Sequence, residues 1–146
     1  MVYLLIISTI FIGDLLVKNY IEKNKKLGNQ EKILKDKVIV TKYHNQGAFL
    51  NLFDKNREIL LVCCGILLGL LSMALLICMP QKGKKLLKLG LAFMLGGAAS
   101  NVYDRIHRGY VVDYFSFSFF DKLVFNISDF FIFIGSIIAA IKVALS

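Results

Sequence analysis

The usual marks of hydrolytic chemistry are scarce in this chain of 146 residues, and each absence narrows what it can do. Only two histidines are present, His44 and His107, and there is no G-x-S-x-G segment, so a serine nucleophile has neither a choice of base nor its elbow. H-E-x-x-H and its inverse are both missing, which removes the zinc peptidases. The G-x-G-D of one class of membrane aspartyl protease is also absent. The three cysteines, Cys63, Cys64 and Cys78, share one apolar stretch with no histidine or acid at ligand spacing. That placement argues against metal or disulfide roles and reads as small apolar packing.

What the chain has is long apolar runs. Crossing a hydrocarbon core of about 30 Å takes roughly 20 helical residues, and four stretches qualify: residues 1–21, 59–79, 86–103 and 125–145. With 57% hydrophobic residues and a mean hydropathy of +0.65, the composition is too apolar for a soluble domain. The expected fold is therefore an all-α integral membrane protein, one membrane-embedded domain over residues 1–146, with a small β-containing region in the 22–58 loop between helices 1 and 2. The first span has no basic start and no small-x-small cleavage site, and it ends in Asp14 and Lys18, so it is expected to be retained rather than removed as a leader. Four spans bring the chain back to its starting side. Both termini and the turn at residues 80–85 then lie on one face, A, while the 22–58 loop and the connection between spans 3 and 4 lie on the other, B.

Charge does not decide which face is cytoplasmic. A formal net charge of +8 would suggest nucleic acid in a soluble protein, but here the 22–58 loop mixes nine basic residues with five acids, and anionic lipid headgroups are the simpler partner. Residues 80–88 hold four lysines and no acid, favouring face A as cytoplasmic, whereas the raw count of basic residues favours face B.

Four carboxylates, Asp14, Asp104, Asp113 and Asp129, fall at face B, where an acid at membrane depth is a functional hypothesis by default. Asp14 and Lys18 are four apart with the acid first, the better order for an intrahelical pair; a purely stabilising pair and a role in positioning a reactive centre are both open. The alternating residues 38–43 suit a strand, and Asn45-x-Gly47 then reads as a sharp turn. Asn45 either simply makes that turn or donates its amide to a substrate backbone, with Gly47 permitting close approach. His44 is expected to be a surface residue. In span 3, Gly97, Asn101, Asp104 and Arg108 share a helical face, and Asp104 beside Arg105 suggests a clamp on the connection to span 4. Gly109 should end that helix. The aromatic alternation of residues 114–120 suggests an interfacial belt. Asn126 is a good N-cap with Asp129 three residues on, so Asp129 has a structural as well as a chemical reading. A carboxylate pair remains, one member on each side of the connection between spans 3 and 4. Two acids held close share a proton, so one can take a proton from water while the other polarises a carbonyl.

These residues together resemble the prolipoprotein signal peptidases, the type II signal peptidases of bacteria. Asp14 to Lys18 is similar to the family's D-x-x-x-K, and Asn45, Gly47 and Ala48 to its N-x-G-A block. GGAASNVYDRIHRGYVVD, from Gly96 to Asp113, resembles G-G-A-x-x-N-x-x-D-R ending in V-V-D, and FNISD, from Phe125 to Asp129, resembles F-N-x-A-D. The resemblance implies a catalytic dyad of Asp113 and Asp129, with Asp14, Lys18, Asn45, Gly47, Gly97, Asn101, Asp104, Arg105 and Asn126 binding substrate or shaping the site. It implies an aspartyl endopeptidase that cuts a diacylglyceryl-modified prolipoprotein just before its lipidated cysteine. No metal, cofactor or nucleic acid is implied, and a monomer is expected. It also implies a multi-pass protein of the bacterial cytoplasmic membrane, with face B extracytoplasmic and both termini cytoplasmic. The chain departs from the pattern in three places. The usual G-A-A-F is one small residue short at Gly47-Ala48-Phe49, Ser128 replaces the usual Ala, and Ser100 stands where Gly is common. Two other readings stay open: an inactive relative that binds lipidated precursors, and a small proton or ion carrier.

Overall fold

The structure, a computed structural model, describes residues 1–47 and 56–145, apart from the side chains of residues 121 and 122. Its elements run α1 (Val2–Asn24), β1 (Glu31–Ile33), β2 (Val38–Asn45), α2 (Arg57–Cys78), α3 (Lys85–His107), β3 (Val111–Phe117), β4 (Phe120–Phe125) and α4 (Ile127–Ala144). The four helices are long and apolar enough to cross a membrane, as the four expected spans require, and their outward faces carry Leu5, Leu67, Leu76 and Ile141. Within a bilayer such side chains face lipid, while the helical backbone satisfies its own hydrogen bonds.

α3 is the least apolar and most buried of the four helices, and α1, α2 and α4 all pack against it. A polar helix in a membrane belongs inside the protein, where other helices rather than lipid meet its side chains. Small residues make the packing close. A Cβ on Gly96 would stand 2.9 Å from Ile10 of α1, whereas a Cβ on Gly97 would stand 2.5 Å from the Ser128 carbonyl of α4. The adjacent glycines thus admit different neighbours, and Gly90 and Gly135 make a second close approach between α3 and α4. Leu75, Cys78, Leu91 and Leu95 fill the α2–α3 seam. Cys78 is a packing residue there, but Cys63 is exposed on the outer face of α2.

The β structure is larger than the 22–58 loop alone provides. β1 to β4 form one antiparallel sheet in sequence order, half of it from the connection between α3 and α4. β2 opposes β3 with Val40 on Phe115 and Tyr43 on Asp113, so β2 carries one extra residue between these pairs. Such a bulge bends the strand and re-aims the residues beyond it. Asn45 opposes Val111, two residues from Asp113, which makes Asn45 and Asp113 diagonal neighbours on one face of the sheet. The aromatic run expected as an interfacial belt forms the β3–β4 hairpin: Phe115, Phe117, Phe125 and Phe130 of α4 cluster together, while Tyr114 and Ser116 point the other way and are buried. Gly109, at φ 79°, supplies the left-handed residue that ends α3 and turns the chain into β3.

Candidate active site

α1 delivers Asp14 and Lys18 to the B end of the bundle, both fully buried, with Lys18 Nζ 2.7 Å from Asp14 Oδ2. Buried charge is tolerable only when paired and hydrogen-bonded. Lys18 meets this condition by also donating to Asn101 Oδ1 (2.8 Å) and Ser100 Oγ (3.0 Å), and it lies 3.5 Å from Asp104. The ammonium therefore fixes which way the Asn101 amide faces. With Oδ1 turned to Lys18, Asn101 Nδ2 donates to Asp129 Oδ1 at 2.9 Å.

Asn126 does the corresponding work for both acids. Its side-chain oxygen accepts from the Asp129 N–H (3.0 Å) and its own N–H donates to Asp129 Oδ2 (3.1 Å), a reciprocal capping box at the start of α4. That leaves Asn126 Nδ2 to donate to Asp113 Oδ1 at 2.7 Å and to Asn101 Oδ1 at 3.2 Å. Asn45 Nδ2 donates to the other Asp113 oxygen at 2.9 Å, while its Oδ1 accepts from the Gly47 N–H at 3.1 Å. Every oxygen of Asp113 and Asp129 thus receives an N–H from Asn45, Asn101 or Asn126. The structural and chemical readings of Asp129 do not compete, since the cap that starts α4 also holds the carboxylate in place.

Asp113 and Asp129 both face a cavity of about 790 Å³. Tyr43, Asn45, Asn101 and Arg105 complete its polar end, and the rest is apolar, with Phe117, Phe125, Phe130 and Phe133 among its walls and Ser136 as an isolated hydroxyl. Burial pushes the Asp113 carboxyl up from its usual 3.8 to about 7, and the neighbouring Asp129 charge adds to the rise against the pull of the Asn45 and Asn126 donors. The pair therefore holds a proton under conditions where an ordinary aspartate has lost it.

Several expectations change. Asn45 donates to Asp113 and accepts from the Gly47 N–H, tasks that the bulge in β2 aims it at, and it also lines the cavity. Asp104 and Arg105 are not partners, since adjacent residues on a helix point apart. Asp104 instead ion-pairs with Arg108 (2.9 Å) and accepts from the Val112 N–H (3.0 Å), tying α3 to the start of β3. Arg105 donates to the Gly47 carbonyl at 2.9 Å, so both residues do clamp the connections, but separately. His44 is not a plain surface residue: it stacks on Tyr110 at 3.9 Å and meets Glu22 at 3.0 Å. Ala48 and Phe49, the shortened part of the Asn45 block, lie outside the described residues. Sequence reading missed Tyr114, whose hydroxyl donates to Asp14 Oδ1 (2.8 Å) and accepts from the Ile127 N–H (2.9 Å). Ser100 and Ser128 stood out only as departures from a pattern, yet both donate to Asp14.

The family model described as signal peptidase (SPase) II matches residues 6–145. The chain belongs to the signal peptidase II family. Relatives include the lipoprotein signal peptidase of Lactobacillus johnsonii, 34% identical over 95% of this chain and 89% of that one. Another is the lipoprotein signal peptidase of Lactococcus lactis subsp. cremoris (strain MG1363), 32% identical over 96% of this chain and 91% of its own. Two solved structures of a bacterial membrane enzyme, determined by the in meso method, share the fold. One has a TM-score of 0.84 at 23% identity, covering 98% of this chain and 87% of the other; the second has 0.83 at 24%, covering 97% and 92%. Membership in the signal peptidase II family, with four helices long and apolar enough to span, makes the chain a multi-pass membrane protein of a peptidase family.

Proposed function

We propose that this chain is an aspartyl endopeptidase that removes the signal peptide from diacylglyceryl-modified prolipoproteins, cutting just before the lipidated cysteine. The observation that carries the reading is that Asn126 touches both Asp113 and Asp129 at the polar end of an otherwise apolar cavity. The acids form the dyad. One, ionised, takes a proton from water as the water oxygen bonds to the scissile carbonyl carbon; the other, protonated, donates to the carbonyl oxygen. When the carbon–nitrogen bond breaks, the first acid gives the proton it took from water to the departing amine. The hydroxyl formed on the former carbonyl returns its proton to the second acid, and the pair regains its starting state. The two titrate as a unit, so the acid and base roles belong to the pair.

The phenylalanine-lined walls suit acyl chains, and the polar end suits the peptide. Lys18, Asp14, Asn45, Gly47, Gly97, Asn101, Asp104, Arg105 and Asn126 position the dyad or the connections around it. Face B is extracytoplasmic, the termini are cytoplasmic, and the protein works as a monomer in the bacterial cytoplasmic membrane. Lys88, a buried charge near the A end of α3, is committed to the Met79 and Gln81 carbonyls, which gives a proton carrier no support there.

The decisive experiment incubates purified wild type, Asp113→Asn and Asp129→Asn in detergent with a diacylglyceryl-modified prolipoprotein. Release of the signal peptide by wild type alone is expected, with all three proteins folded. Cleavage by either variant sinks the dyad; precursor binding without cleavage by wild type supports an inactive binder.

A further inference from the structure

Asp14 accepts more hydrogen bonds than either proposed catalytic acid, yet it does not line the cavity. Lys18 Nζ (2.7 Å), Ser100 Oγ (2.7 Å) and Ser128 Oγ (2.6 Å) converge on its Oδ2, and the Tyr114 hydroxyl (2.8 Å) reaches its Oδ1. Lys18 already neutralises the charge. The three hydroxyls add direction, since each short bond to an ionised oxygen holds its own segment at a set distance.

The segments they hold are those that carry the reactive pair. Ser100 precedes Asn101, Ser128 precedes Asp129, and Tyr114 follows Asp113. One carboxylate on α1 therefore gathers α3, α4 and β3 at the points where Asn101, Asp129 and Asp113 leave the backbone. Tyr114 adds a second tie by accepting from the Ile127 N–H, two residues before Asp129. All the groups involved are buried. Losing the Tyr114 hydroxyl removes the partner of both Asp14 Oδ1 and the Ile127 N–H, whereas losing either serine leaves Asp14 Oδ2 its other donors but releases that serine's segment from it.

We propose that Ser100, Ser128 and Tyr114 are positioning residues that act through Asp14 to set the separation and orientation of Asp113 and Asp129. The inference rests on the dyad reading above and extends it to residues that touch neither substrate nor the reacting atoms.

The test measures kcat and KM for a lipidated precursor with Ser100→Ala, Ser128→Ala and Tyr114→Phe, each checked for folding by thermal unfolding. Each change should lower kcat roughly tenfold, because small misplacements of reacting groups are costly, and leave KM within about twofold. Unchanged kcat in all three, or a loss confined to KM, overturns the proposal. Ser128→Ala is then repeated in an Asp14→Asn background. If the serine acts through Asp14, the second change costs less than about twofold more, since residues in one network do not add; a further tenfold loss overturns the route through Asp14. If Asp14→Asn does not fold or does not cleave, the division between kcat and KM in the three single variants decides. Failure of wild type to cleave overturns the dyad reading and this inference together, whereas wild-type cleavage with unaffected hydroxyl variants overturns this inference alone.

Discussion

Replacing Gly97 with alanine tests whether the close approach of α3 and α4 sets the geometry of the proposed dyad. The added Cβ would lie 2.5 Å from the Ser128 carbonyl oxygen and 2.9 Å from Ile132 Cγ1. Carbon and oxygen settle at about 3.3 Å, so the helices must part by about 0.8 Å there. Ser128 directly precedes Asp129, and Gly97 lies one turn before Asn101, so the shift falls on the 2.9 Å bond between Asn101 and Asp129. That bond would stretch beyond about 3.5 Å and be lost. Overpacking of this kind costs about 1–3 kcal/mol of stability. Misplacing a reacting group by about 1 Å costs on the order of 10²-fold in rate. The assay is kcat on a lipidated precursor in detergent, with Gly13→Ala as the control because a Cβ at Gly13 meets nothing within 4 Å. We expect Gly97→Ala to lose about a hundredfold in kcat and Gly13→Ala to cleave normally. A Gly97→Ala enzyme keeping more than about a third of wild-type kcat would refute the argument.

The raised Asp113 pKa means that the folded chain holds this proton more tightly than the unfolded one, so its contribution to stability is full below the ordinary value of 3.8 and is lost as pH rises toward about 7. Unfolding measured across that range should show the decline in wild type and a shallower one in Asp113→Asn; equal slopes would refute it. Cleavage should fall on the alkaline side as the shared proton leaves the pair, and a rate that stays flat into alkali would count against two acids in opposite protonation states. Lys18→Met removes the cation between Asp14 and Asp104 and should cost about 3–5 kcal/mol, read as a lower unfolding temperature; a melting curve like wild type would show that the ammonium is not what holds these acids. Ser136→Phe should fill part of the cavity and raise KM for a lipidated precursor about tenfold or more, and an unchanged KM would place the acyl chains elsewhere.

The four spans and the break at Gly109 were readable from sequence because each depends on local chemistry: a long apolar run must be helical in lipid, and a glycine tolerates the left-handed turn that ends α3. The Asp14–Lys18 pair and the Asn126 cap were readable for the same reason, as their partners lie within one helical turn. The task of Asn45 was not readable, because it depends on one extra residue in β2 and on a strand whose Asp113 is 68 positions away. Nor could spacing show that Asp104 and Arg105 serve different connections.

What the sequence determined by itself is the membrane fold and the gathering of acids at one face, since hydropathy and helical period act over a few residues and need no partner. Only the tertiary structure decided which groups each acid meets. Asp14 draws on α1, α3, β3 and α4 at once, and Asp113 draws on β2 and the cap of α4. A hydrogen bond needs its donor and acceptor within about 3 Å, and chain positions a hundred residues apart reach that distance only after the helices and the sheet have packed.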